Sequence, residues 1–124
     1  MTLPEEERLE ELVALVHEGH LEAFIERAWD LEPADLADVL AALDEDDRIA
    51  LVRVLPAELS SQALVEMPDD AHAEETLAAL DPGHAAQIVE RLEDDDAADI
   101  LGELEPEQQE RILAEVADRS DVDR

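Results

Sequence analysis

Leu31, Leu43, Leu55, Met67, Leu80, Leu92, Leu104 and Val116 follow one another at intervals of 12, 12, 12, 13, 12, 12 and 12 residues. Three residues before each of the last seven stands another aliphatic: Leu40, Val52, Leu64, Leu77, Val89, Leu101 and Leu113. One position earlier the pattern mostly recurs, with Val39, Leu51, Ala63, Thr76, Ile88, Ile100 and Ile112. Spacings of three and four place these side chains on one stripe of a helix. A dozen residues holds one short amphipathic helix and its turn, and a helix that short is marginal unless its stripe is packed against neighbours. The fold expected is therefore all-α, a superhelical solenoid of short helices with a repeat of about 12 residues, of either hand.

Punctuation supports the same units. Their starts read "LEPAD", "LDEDD", "LPAEL", "MPDDA", "LDPGH", "LEDDD" and "LEPEQ". Proline in a first turn loses no helical hydrogen bond, and acids there favour the positive end of the helix dipole. Pro33, Pro56, Pro68, Pro82 and Pro106 thus mark starts and not breaks. Helices are expected near 5–18, 20–29, 33–43, 45–54, 57–66, 70–80, 83–92, 95–104 and 107–117, each touching its sequence neighbours. Residues 1–30 form an N-terminal capping helix pair, 31–117 the repeat array of the same domain, and 118–124 a polar tail that frays.

Charge narrows the function. Eight Arg, no Lys and 37 acids give a formal charge of −29, which opposes nucleic-acid binding, because phosphate contacts need clustered cations. Docking on an anionic leaflet is opposed for the same reason. Cations and basic protein surfaces are the partners such a chain suits, although acid enrichment also serves solubility in a salt-rich cytoplasm. The chain has no cysteine, hence no disulfide, thiolate metal site or cysteine nucleophile. "MTLPEEERLE" has neither the basic nor the apolar region of a secretory signal. The most apolar stretch, "IALVRVL", is far shorter than the roughly 20 residues of a membrane span, so the sequence reads as soluble, without direct membrane insertion.

An enzyme is not expected. Ser60, Ser61 and Ser120 occupy no nucleophile elbow, no histidine has a triad-like context, and Gly19, Gly83 and Gly102 are isolated. His17 and His20 of "HEGH" could be drawn as a zinc pair, but a helix end closed by a C′ glycine explains them more simply. His72 and His84 stand alone near helix starts without ligand spacing. The acid runs at Asp44 to Asp47, Asp69 with Asp70, and Glu93 to Asp96 all fall at helix starts, where N-capping accounts for most of them. None has the glycine and closing glutamate of an EF-hand.

One group exceeds capping. Asp95 and Asp99, four apart on a helix beginning at Asp94, share a face, where like charges repel by a few tenths of a kcal/mol unless a cation lies between them. A hard divalent ion such as Mg2+ keeps several waters and takes one or two carboxylates, so two acids on a helix could form half of a site shared with another domain.

The run "LEPADLADVLAALDEDDRIALVRVLPAELSSQALVEMP", with "LDPGHAAQIVERLEDDDAADILGELEPEQQERILAEV", resembles the cytoplasmic N domain of MgtE-type magnesium transporters. The likeness runs from about Leu31 to Val116, and "DDAADIL" is its most specific piece. The resemblance implies a regulatory module, followed in the family by a pair of CBS domains, a connecting helix and a dimeric transmembrane pore at the cell membrane. The resemblance further implies that cytosolic Mg2+ binds between the N and CBS domains, neutralises mutually repelling carboxylates and holds the pore shut. Ion loss lets the N domain swing away. Carried onto this sequence, the metal ligands would be Asp95 and Asp99, with Asp96 a weaker candidate of more structural character. A further carboxylate expected after "VLPAEL" falls at Gln62, and Glu66 replaces it only if the helix is rotated. The partners implied are the CBS and transmembrane domains of a homodimeric transporter, none of which lies in these 124 residues. The chain is thus read as an excised domain or a free-standing relative that binds Mg2+ weakly at most by itself.

A rival reading is a metal-independent protein-interaction scaffold, since a solenoid of this kind also resembles the middle region of flagellar motor switch proteins. A third is an acidic solubility module.

Overall fold

The computed structural model of the chain describes residues 5–68 and 73–122, with side chains over 8–68 and 73–117. Asp69, Asp70 and His72, together with the expected start of a helix at 70, lie outside the described residues. Within them the chain is all-helical: α1 Glu5–His17, α2 Leu21–Ala28, α3 Pro33–Ala42, α4 Glu45–Val54, α5 Ala57–Glu66, α6 Ala73–Ala78, α7 Pro82–Glu90, α8 Asp94–Gly102 and α9 Pro106–Val122.

The sequence signals act where expected at most starts. Pro33 and Pro82 open α3 and α7, where the missing N–H costs nothing. Asp44 caps α4 by accepting from the Asp47 backbone N–H at 2.9 Å, and Asp81 caps α7 by accepting from Gly83 N–H. Pro56 sits one position earlier relative to its helix, as the N-cap of α5. Gly19 ends α1 at φ +85, with its N–H donating to Val16 and that of His20 to Leu15. That is the paired closure of a Schellman turn, which needs the left-handed conformation glycine adopts freely.

The periodic residue itself is not helical. Leu31, Leu43, Leu55, Met67, Leu80, Leu92 and Leu104 all stand between helices. Leu43, Leu55 and Met67 are C-caps in extended conformation, and they are buried like Leu80 and Leu104. The units ending at Leu43, Leu55, Met67, Leu80 and Leu104 therefore stop with an aliphatic side chain outside the helix and in the core, whereas Leu31 and Leu92 are only half-buried. Val116 departs from this rule. Ala117 follows it where the other units have an acid or proline, and α9 runs on to Val122, past the end expected at 117.

The packing order also differs from a chain of sequential neighbours. The three broadest helix pairings join alternate helices, α7 with α9, α3 with α5 and α5 with α7 in one row, and narrower contacts join α4 with α6 and α6 with α8 in another. Beyond α2, a short turn after each helix redirects the chain so that alternate helices come side by side, with α6 also touching α7. α1 packs on α2, α3 and α4, and one buried cluster runs from Leu12 to Ile112. The stripe residues Leu40, Val52, Leu64, Leu77, Val89 and Leu101 are all buried, whereas Leu113 is 44 % exposed. In α9, which packs on α7, Ile112 is the buried member of the pair.

Candidate metal-binding surface

The first turn of α8 is acidic and has a cleft beside it. Glu93 is the N-cap, in extended conformation and without a side-chain capping bond, and Asp94, Asp95 and Asp96 fill the turn. None of these carboxylates is consumed as the cap acceptor, unlike Asp44 and Asp81. Leu101 is buried, and Ala97 and Ile100 pack against the core. That anchoring fixes the rotation of the helix, leaving Asp95 and Asp99 exposed and Asp96 half-buried.

The structure groups these acids by two different neighbours. Ligand atoms of Glu93, Asp95 and Asp96 lie within 4.8 Å of one another. Asp99 instead lines, with Asp96, a cleft of about 120 Å³ closed by Leu64, Val65 and Met67 of the α5 end, Ala73 and Glu74 of α6, and Ile100 and Glu103. Asp95 is not among its lining residues, so Asp96 is the residue common to both groups.

On the other side of Asp96 lies a second groove, lined by Gln62, Val65, Glu66, Arg91 and Glu93 among others. Gln62 and Glu66 thus line the same groove as Glu93 and Asp96 of the α8 start. Arg91 changes its electrostatics, because a guanidinium repels a divalent ion that the purely acidic cleft attracts. Glu74 and Glu103, on the acidic side, were not singled out by sequence. Glu74 reaches the cleft from another helix, and nothing in the spacing of "AEETLA" announces that.

The histidines resolve separately. His17 does not pair with His20, which is the N-cap of α2 and makes no side-chain capping bond. Its Nδ1 is hydrogen-bonded to Asp47 Oδ2 at 2.8 Å, joining the end of α1 to the start of α4. The hydrogen bond to Asp47, reinforced by that carboxylate's charge, raises the His17 pKa above the usual 6.5. A histidine whose folded pKa is raised contributes stability that is fully present below the unfolded value and lost as pH rises through the folded one. In chelator-treated buffer, His17→Gln is therefore expected to unfold at a lower temperature than the parent at about pH 5.5 and to match it by about pH 8.5. A difference that persists at the alkaline end would assign the effect to packing and not to charge.

Among the described residues no helix is long and apolar enough to cross a membrane. Comparison with protein families finds that the pattern of the MgtE intracellular N domain matches residues 31–123, beginning at the first periodic leucine. No curated protein and no solved structure matches the chain.

Proposed function

The chain belongs to the MgtE intracellular N domain family, and on that premise we propose that it senses Mg2+ for an MgtE-like transporter through the acidic surface of α8. The family is a regulatory transporter domain and not a catalytic one. The observation that carries the sensing role is the placement of Asp96 between two groups of carboxylates. Glu93 and Asp95 stand at one side of it, Asp99, Glu74 and Glu103 at the other.

Such a surface is poised and incomplete. Exposed carboxylates in water hold Mg2+ poorly, because the ion dehydrates reluctantly and demands octahedral oxygen geometry. A CBS domain apposed to α8 would add oxygen donors and exclude water, and the bound ion would then cancel repulsion that otherwise drives the two domains apart. Asp95 and Asp99 are the ligands we assign, and Asp96 serves as the half-buried member that can turn toward either. The alternate-helix rows support a short superhelical array, a rigid frame on which α8 holds its acids in fixed register while the whole domain moves. Gating follows from docking: occupied, the domain is held against its partner; empty, it is released.

The test is Mg2+-dependent compaction of a longer protein in which this domain is followed by CBS domains. Protection from proteolysis should rise as Mg2+ passes through roughly the millimolar range, beyond what NaCl of matched ionic strength produces. Asp95→Asn with Asp99→Asn should shift that response to higher Mg2+ by about tenfold or more. A response unchanged by both substitutions removes them as ligands, and no specific Mg2+ response at all would favour the scaffold reading.

A further inference from the structure

We propose that His17, Asp44 and Asp47 form a second cation site, selective for zinc-class divalent ions and not for Mg2+. The three side chains come from two helices. His17 is the last residue of α1, and Asp44 and Asp47 are the N-cap and first turn of α4. Thirty positions of sequence separate His17 from Asp47, yet one ligand atom from each of the three residues lies within 4.8 Å of the other two.

The donor set decides the ion. An imidazole nitrogen with two carboxylate oxygens suits Zn2+ and its late first-row neighbours, whereas Mg2+ prefers oxygen alone. Around a tetrahedral zinc with ligands at about 2.0–2.1 Å, donors stand about 3.3 Å apart. The Nδ1 to Oδ2 separation of 2.8 Å therefore opens by only about half an ångström to admit the ion. Binding takes the place of the proton shared by His17 and Asp47, so it releases that proton wherever the imidazole is protonated.

Local structure holds two of the donors in place. Asp44 Oδ1 accepts the Asp47 backbone N–H, which orients the carboxylate and leaves its other oxygen available. His17 is fixed at its backbone by the Schellman turn at Gly19, and its ring remains 71 % exposed. The helix ends act in opposite senses, since the C-terminus of α1 favours a cation and the N-terminus of α4 disfavours one. The acidic field of a chain at −29 tips the balance toward binding. Water completes the coordination, leaving an open position of the kind three-ligand zinc sites keep.

Calorimetric titration of the 124-residue chain with Zn2+, at about pH 7.5 and with excess Mg2+ present to occupy nonspecific carboxylates, tests the site. One equivalent is expected to bind, weakened about tenfold or more by His17→Gln and by Asp47→Asn, and left unchanged by Asp95→Asn with Asp99→Asn. His17→Gln alters an exposed side chain, so its far-ultraviolet circular dichroism should match the parent and loss of binding will not reflect unfolding. Zn2+ affinity unaffected by His17→Gln, or abolished by the α8 substitutions, overturns the assignment. Because the α8 variants are a separate arm, failure here leaves the Mg2+ reading standing, and failure of that reading leaves this one.

Discussion

Phe24→Ala is expected to destabilise the domain by about 3–5 kcal/mol, lowering the thermal midpoint by on the order of 15 °C. Phe24 is the one phenylalanine of the chain and is wholly buried. It sits in α2, which has only eight residues and buries only Phe24 and Ala28. A helix of that length has no stability of its own, so its docking rests largely on this ring. Arg27 with Glu11 at 2.8 Å adds an ion pair between α2 and α1, but both partners are partly exposed and such pairs contribute about 0–1 kcal/mol. Urea unfolding measures the loss. A shift of midpoint with unchanged slope reports global destabilisation, while a shallower slope reports α2 detaching before the rest. A loss below about 1 kcal/mol would show that α1 docks on α3 and α4 without help from α2.

The repeat was legible because it is written in side-chain type at fixed spacing. Leu40, Val52, Leu64 and their equivalents had to be buried whichever way the helices were arranged. The same spacing could not reveal that Leu43, Leu55 and Met67 stand outside the helices, since a C-cap and a last helical residue look alike in sequence. Thr76 is buried at its stripe position, but nothing in the pattern foretells the burial of Ser60, Ser61 and Arg48. Ser61 is accommodated by donating to the Glu58 carbonyl at 3.2 Å, an arrangement open to any helical serine.

The candidate sites divide in the same way. That Asp95, Asp96 and Asp99 lie on one short helix follows from the local pattern. Which of them faces Glu74, and that His17 meets Asp47, depend on the side-by-side packing of helices distant in sequence. Asp96, which the family resemblance ranks below Asp95 and Asp99, is the residue that the cleft shares with the Glu93 and Asp95 group.

Raising NaCl from about 10 mM to about 1 M, which shortens the screening length from about 30 to about 3 Å, is expected to raise the thermal midpoint by roughly 10 °C or more. The chain carries −29 formal charges, and Arg8–Asp35, His17–Asp47 and Arg27–Glu11 are among the ion pairs of the described residues. All three leave at least one side chain substantially exposed, so little attraction is lost on screening. Repulsion acts between acids three or four apart on one helix, such as Glu22 with Glu26, Asp35 with Asp38 and Asp95 with Asp99. At about 0.2–0.5 kcal/mol per like-charged helical pair, ten such pairs amount to about 2–5 kcal/mol, a large share of a typical stability of about 5–15 kcal/mol. Screening relieves that repulsion in the folded state more than in the expanded chain, whose charges are further apart. Scanning calorimetry across the salt series measures the shift, and a midpoint that falls with salt would mean that attractive pairs dominate the folded surface. MgCl2 at matched ionic strength then separates screening from binding: in the isolated domain it should exceed NaCl only slightly, because the α8 carboxylates lack the partner that would complete an octahedral site. A large excess stabilisation by Mg2+, abolished by Asp95→Asn with Asp99→Asn, would place the whole sensor within this chain and remove the need for a second domain to close it.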